Sequence, residues 1–358
     1  MTTALIIGNG QIGAEIATQL TQAGTTVRIA TQLTQAGTTV RIATRSGGGA
    51  AGSSASTVTS TPSRALAPST ADSERSSAAS AIPGSTAEAP ATPAPVPTHI
   101  KADATDREQL IAAARGADVI FACAHAVYDS RVWERVLPAL DSAVLDTAAE
   151  LGIPVVFPES VYAFAGLDRP ITESSPFAPV DAKGRIRQRL LEARAAHPAT
   201  SASVIAGDLL GRTAEPKTSV VRMCITEPIA HGGRAFVPAR ADVAHGITVI
   251  ADLAAAMIRA AEVLADVPAG THRLLLAPAS NPTLSEIAEF THAELGSRAK
   301  RPLALPHWVI RTIGLFDRSM YEVGQLGPIW YEPCVIEPGT LAGSVPTTDW
   351  RDGVRQML

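Results

Sequence analysis

The chain has 358 residues, of which 46% are apolar and 18% charged, with a formal net charge of −4. That length allows a large α/β domain with a smaller lobe, and the near-balanced, slightly acidic charge argues against a nucleic-acid partner. No stretch reaches the roughly 18 uninterrupted apolar residues of a membrane span, and the N-terminus lacks a basic region ahead of an apolar signal core, so a cytoplasmic protein without a membrane partner is expected.

The first apolar run, Ala4 to Ile7, has the character of a strand buried on both faces of a parallel sheet. It breaks into Gly8-x-Gly10-x-x-Gly13 and resumes with helical spacing at Ile12, Ile16 and Leu20. Strand, tight turn and helix in that order make a dinucleotide-binding turn. Gly8 permits the sharp exit from the strand, Gly10 lets a pyrophosphate approach the backbone, and Gly13 lets the helix lie close to the sheet. The amides of the first helical turn, with Gln11 and Ile12, would face the phosphates at the positive end of the helix dipole.

Ala17 to Ile29 then recurs letter for letter as Ala30 to Ile42. One perfect 13-residue copy is a local duplication and not a solenoid, which needs several units. One Thr-Thr-Val-Arg-Ile segment must be the second strand, and the other is surplus. In a Rossmann unit the residue that meets the adenosine ribose lies about 20 positions beyond the glycines. Gly13 to Arg45 spans 32 positions, or 19 without one copy. Arg45 offers a planar fork for a 2′-phosphate and no Asp or Glu competes for a 2′-hydroxyl, so NADP is expected over NAD. Residues 46–97 are rich in Ser, Ala, Thr, Pro and Gly with almost no large apolar residue, which predicts a disordered low-complexity insertion.

Order resumes at His99-Ile-Lys-Ala-Asp-Ala-Thr-Asp106, a strand followed by a helix through Gln109 to Arg115. Ala117 to Ala124 is a buried strand, Val132 to Leu151 a helix, and Gly152 to Phe157 the next strand. A basic helix from Asp181 to Ala196 and a strand from Ser201 to Ile205 follow. The alternation predicts an α/β fold: a Rossmann-type, doubly wound parallel sheet over residues 1–45 and 98–212. Residues 213–358 form a smaller α+β substrate lobe with segments returning to the main sheet. Within it, Ile247 to Val249 is a strand, an Ala-rich helix is capped by Asp252, and Thr283-Leu-Ser-Glu286 is a capping box. Cys123, Cys224 and Cys334 lack metal or disulfide spacing, the histidines form no cluster, and no metal is expected.

By the glycine turn, Asp103-Ala-Thr-Asp106, Phe121-Ala-Cys-Ala124 and the Tyr162 and Asp252 segments, the chain resembles the extended or atypical branch of the short-chain dehydrogenase/reductase superfamily, the NAD-dependent epimerase/dehydratase-like proteins. The resemblance implies that Asp103 approaches the adenine amino group and that Ala122 and Ala124 line the pyridine nucleotide. It also implies an NAD(P)-dependent oxidoreductase or epimerase acting on a small carbonyl or sugar-derived molecule, as monomer or homodimer. The family's Tyr-x-x-x-Lys pair is absent. Lys183-Gly-Arg-Ile-Arg187 stands where it belongs, and Pro158-Glu159-Ser160 replaces the usual Ser-Ser. Strand carboxyl ends open onto the cleft, so Tyr162 is the expected acid. Lys183 or Arg187 would lower its pKa, and Ser160 would orient the substrate oxygen. The alternative is a cofactor-binding sensor without turnover.

Overall fold

The computed structural model describes residues 2–32, 96–316 and 318–358. Arg45 and nearly all of the low-complexity segment lie outside the described residues, so the readings made there are neither met nor opposed. The chain opens with β1 (Thr3–Ile7), α1 (Gln11–Gln22) and β2 (Thr26–Gln32), followed by β3 (Thr98–Asp103), α2 (Arg107–Ala114), β4 (Val119–Ala122) and α3 (Ser130–Leu151). Next come β5 (Val155–Ser160), a 3₁₀ turn (Val161–Phe164), α4 (Ala182–Ala196), β6 (Ser201–Ala206) and β7 (Asp208–Leu210). A π-helical turn (Arg222–Thr226) runs into α5 (Glu227–Ala230), then β8 (Phe236–Val237), β9 (Ile247–Val249), α6 (Ile250–Leu264), β10 (His272–Leu276) and α7 (Leu284–Glu294). The last elements are β11 (Leu303–Ala304), α8 (His307–Ile313), α9 (Arg318–Gln325), α10 (Gly327–Tyr331) and α11 (Trp350–Arg355).

Seven strands form one parallel sheet in the order β10-β6-β5-β4-β1-β2-β3. β1 therefore pairs with β2 on one side and β4 on the other, and the direction of winding reverses between β1 and β4. Crossover helices cover both faces, as a parallel sheet requires. On one face Leu110, Trp133, Val144 and Leu190 from α2, α3 and α4 pack on Leu5, Ile7, Ile120 and Phe157. On the other, Ile16, Leu20, Leu253 and Met257 from α1 and α6 pack on Ile6, Phe121 and Val204. The expected Rossmann-type doubly wound fold is the observed one.

The first copy of the duplication makes the strand. Its Thr26 to Ile29 pair with β1 and β3, and β2 runs on into the second copy through Ala30, Thr31 and Gln32. Beyond Gly211, β10 extends the main sheet, while β7 with β9 and β8 with β11 form two small ladders over a further core that includes Ile225, Leu284, Trp330 and Trp350. The capping box at Thr283 and Glu286 is present. Asp252, expected to cap an Ala-rich helix, does not. α6 begins two residues earlier, behind Val249, and the Asp252 carboxylate instead accepts from the Thr348 amide and hydroxyl at 2.6 and 2.8 Å, tying α6 to the C-terminal segment. No helix of the described residues is long and apolar enough to cross a membrane.

Candidate functional site

The glycine turn sits at the reversal of the sheet, where doubly wound folds open a crevice beyond the strand ends. Gly8 has φ +96°, and a Cβ there would lie 2.6 Å from the Ala124 amide nitrogen, so only glycine lets the end of β1 lie against the end of β4. A Cβ on Gly13 would stand 2.1 Å from the Gly8 carbonyl, which brings α1 hard onto the turn. α2, α3, α4, α7 and α11 each have a side chain on the first-turn amides, from Asp106, Asp129, Asp181, Thr283 and Asp349. α1 has no side-chain cap, and neither do α5, α6, α8 and α10, but among these five only α1 has a glycine, Gly10, at the N-cap position. Its first amides are thus left to an anion, and together with Ala122 and the buried Ala124 they fit a dinucleotide pyrophosphate.

The other residues expected near the cofactor make contacts within the chain. The Gln11 amide oxygen accepts from the Glu215 amide and the Thr218 hydroxyl at 3.0 and 3.1 Å, linking the turn to the segment after β7. Ile12 lies half-buried against the core of its face. Asp103 accepts from the amide and hydroxyl of Thr105 at 2.9 and 2.8 Å, closing the loop after β3, and Asp106 rather than Asp103 caps α2.

One strand over, the ends of β4 and β5 carry a cluster of a different kind. Tyr162 lies in the 3₁₀ turn immediately after β5, with its hydroxyl 3.3 Å from that of Tyr128. α4 can approach this turn because Gly184 has no side chain; a Cβ there would be 2.6 Å from the Tyr162 carbonyl. Trp133 organises the aromatic group. It stacks on Tyr162 with centroids 6.2 Å apart and meets His125 and Tyr128 edge-on.

Charge enters this cluster from α4. Lys183 is 1% exposed and ion-paired with Glu322 of α9, which is equally buried; its ammonium also lies 4.1 Å from the centroid of the Tyr128 ring. Glu322 is shared, since it also takes the Ser130 amide and hydroxyl at 3.2 and 2.9 Å and pairs with Arg318. Arg187 packs its guanidinium 4.7 Å from the Trp133 centroid, pairs with Glu159 at 3.4 Å and donates to His125 Nε2. His125 Nδ1 lies 2.7 Å from the Ala126 carbonyl, and both contacts are satisfied together by the neutral Nδ1–H tautomer. Burial first, and then Arg187, push the His125 pKa down to about 3.

Glu159, beside Ser160 at the end of β5, is buried. Its two carboxylate oxygens take the Ser160 amide at 2.8 Å and Arg194 at 3.0 Å, and Arg194 in turn binds Asp141 at 2.6 Å and Ser203 at 2.9 Å. Ser160 itself is half-buried beside Tyr162, its hydroxyl 3.4 Å from Glu159. Burial pushes the Tyr162 phenol up to about 12, with Arg187 acting the other way. The phenol is therefore protonated at neutral pH.

Tyr162, Ser160, Lys183 and Arg187 thus share one neighbourhood, although Lys183 lies under Tyr128, and Arg187 is the cation acting on Tyr162. His125, Tyr128, Trp133 and Glu322 were missed by sequence reasoning. His125 and Tyr128 lie in the loop after β4, where the strand-end rule that picked out Tyr162 applies equally, and Trp133 lies in the first turn of the helix that follows, α3. Glu322 gave no signal, being 139 residues from Lys183. A cavity of about 870 Å³ beside β10, lined by Phe177, His272 and Thr340, contains none of these groups. Among the described residues no group of His, Cys, Asp and Glu could hold a metal ion, and the three cysteines are unpaired.

A doubly wound parallel sheet with a glycine turn at its reversal defines a Rossmann-type fold. No family model matches the sequence, and no curated protein is significantly similar to it. Solved structures share the fold over nearly the whole chain. A UDP-N-acetylglucosamine 4-epimerase from Methanobrevibacter ruminantium, in complex with UDP-N-acetylmuramic acid, is 13% identical with a TM-score of 0.66, covering 99% of this chain and 96% of its own. A UDP-galactose 4-epimerase is 15% identical with a TM-score of 0.64, over 99% and 97%. MoeE5, in complex with UDP-glucose and NAD, is 13% identical with a TM-score of 0.61, over 99% and 97%. At these identities the likeness is one of fold.

Proposed function

We propose that the chain is an enzyme that binds a nicotinamide dinucleotide on the glycine turn and acts on a nucleotide-sugar or related small carbonyl substrate, in a reaction of the epimerase, dehydratase or reductase type. The fold neighbours with NAD and UDP-sugars bound support the substrate class, and the uncapped α1 supports the cofactor. NADP over NAD remains part of the proposal, carried by Arg45 in the sequence.

The observation that carries the reading is the hydroxyl pair of Tyr162 and Tyr128 at the strand ends. A nicotinamide dinucleotide supplies or takes up the hydride when bound. The Tyr162 hydroxyl then donates its proton to the substrate oxygen as charge develops there, and takes one back in the reverse direction. Arg187 offsets the tyrosinate left behind, while Tyr128, 42% exposed, passes a proton in from solvent. A phenol held near 12 suits a donor and not a resting base.

The sensor reading has its own support, because Lys183, at the family's tyrosine position, is sealed against Glu322. One variant separates the two. Tyr162→Phe is expected to cut NAD(P)H-dependent turnover of UDP-sugars or their 4-keto forms at least about 100-fold without loss of cofactor affinity. An unmodified chain that binds cofactor tightly yet turns over none of these substrates would support the sensor instead.

A further inference from the structure

α8 and α9 form a hairpin with two unlike faces. The inner face joins the site through Arg318 and Glu322, while the buried Ile310 packs between the two helices beside Gly324. The outer face and tip are apolar and open, with Trp308 70%, Leu315 77% and Phe316 90% exposed. The tip is ordered by its own bonds. The amides of Gly314, Leu315 and Phe316 reach the carbonyls of Ile310, Thr312 and Ile313 at 2.9, 3.2 and 2.9 Å. Gly314 packs so tightly on α9 that a Cβ would lie 2.8 Å from the Tyr321 Cα, and this crossing leaves Leu315 and Phe316 nowhere to fold back. Leu303 and its ladder partner Phe236 add exposed apolar surface next to α8 in the chain.

Charge distinguishes this surface from the rest of an acidic chain. Residues 295–317 contain four cations, Arg298, Lys300, Arg301 and Arg311, against one acid, Asp317. All four cations are exposed, and exposed Arg234 donates to the Arg301 carbonyl at 2.7 Å, which brings a fifth beside Arg301. Contiguous exposed apolar surface edged by polar groups marks a contact surface.

We propose that the α8–α9 tip docks on an anionic lipid bilayer, with Leu315 and Phe316 entering the boundary between headgroups and acyl chains and the cations meeting anionic headgroups. Protruding aromatic and aliphatic side chains flanked by Lys and Arg are what such an interface selects. A second copy of the chain fits less well, because a two-fold contact sets the patch against itself and brings like charges together. This is a surface contact and requires no span, and it stands independently of the proposed chemistry.

The test is co-sedimentation of the full chain with vesicles of phosphatidylcholine alone or mixed with phosphatidylglycerol. Binding is expected to the mixed vesicles, to weaken with added salt, and to fall at least about tenfold when Leu315→Ser and Phe316→Ser are combined, both being exposed positions that leave the core intact. Combined Arg298→Glu, Lys300→Glu and Arg301→Glu should remove the preference for phosphatidylglycerol. Absence of binding to the mixed vesicles, or binding indifferent to the serine pair, would overturn the proposal. Light scattering that shows a dimer split by the serine pair would assign the surface to a second copy.

Discussion

The two ends of the proposed site, one proposed for the cofactor and one for the chemistry, are built in opposite ways. The cofactor end is made by leaving side chains out, with Gly8, Gly10, Gly13, Ala122 and Ala124 and no charged group among them. The chemistry end, one strand away, is made by burying charge: Lys183 with Glu322, Arg187 with Glu159, and Arg194 between Glu159 and Asp141. The first construction is local, depending on backbone that must pass close to backbone. The second is long-range, and each of its members is costly unless its partner arrives from elsewhere in the chain. Disturbing the two ends should therefore fail in different ways, one through geometry and the other through desolvated charge.

The largest effect is expected at Glu322. Its removal leaves Lys183 buried without a counter-charge, and breaking such a pair typically costs about 3–5 kcal/mol. Urea unfolding of Glu322→Gln should show a loss of that order, and pairing it with Lys183→Met should restore a substantial part. Equal losses in the single and double variants would mean that α9 holds the site by packing and not by charge.

At the cofactor end, Gly13→Ala should weaken NAD(P)H binding at least about tenfold, because the new methyl meets the Gly8 carbonyl and neither backbone can yield without opening the turn. Gly24→Ala is the control. It has φ +79° but open space around it, so it carries strain of about 1 kcal/mol without touching the turn. Cofactor fluorescence titrations that lost affinity equally in both variants would show that stability, not the turn, is being read.

The same contrast explains what was legible in the sequence. Glycine spacing, the apolar run of β1, and the strand-helix alternation around β4, α3, β5 and α4 are short-range patterns, and each mapped onto its element within a few residues. That Tyr162 sits just past the end of β5 was legible because strand ends are local features too. Its working partners were not. Lys183 and Arg187 could be placed on one helix face, but no spacing rule says that the first is neutralised from α9 and the second held between His125 and Glu159. Asp252 failed for a related reason: a first-turn Asp ordinarily caps its own helix, and here Thr348, 96 residues away, competes for the carboxylate and wins.

His125 allows a pH test of the chemistry end. With its folded-state pKa depressed to about 3 from an ordinary 6.5, the unfolded chain takes up a proton on acidification well before the folded one does. Its contribution to stability is complete above about 6.5 and is lost as pH falls toward 3, by up to about 1.4 kcal/mol per unit. Asp208 has the opposite sign, since burial pushes its carboxyl up to about 6 and its contribution is lost as pH rises through that range. It is present in parent and variant alike and cancels between them. Unfolding midpoints between pH 6.5 and 4 should therefore fall more steeply for the parent than for His125→Gln. Parallel slopes would show that His125 is not held neutral in the folded chain.

The smallest effect is expected from removing the duplication. Because the two copies are identical, excising Ala17–Ile29 or Ala30–Ile42 yields the same chain. In that chain Ile29 is followed by Ala43-Thr44-Arg45 where Ala30-Thr31-Gln32 now complete β2, so two of those three residues are unchanged and the pairing with β1 is kept whole. The connection from β2 to β3, residues 33–97, shortens by 13 residues, and loop-closure entropy changes by only about 0.2 kcal/mol. The melting temperature should stay level or rise slightly. The excision also sets Arg45 directly at the end of the strand, at the usual distance from the glycines. If that arginine reads a 2′-phosphate there, the ratio of NADPH to NADH affinity should increase over the parent's, and Arg45→Ala in the shortened chain should cancel the increase. A lower melting temperature would instead show that the second copy has been built into the fold.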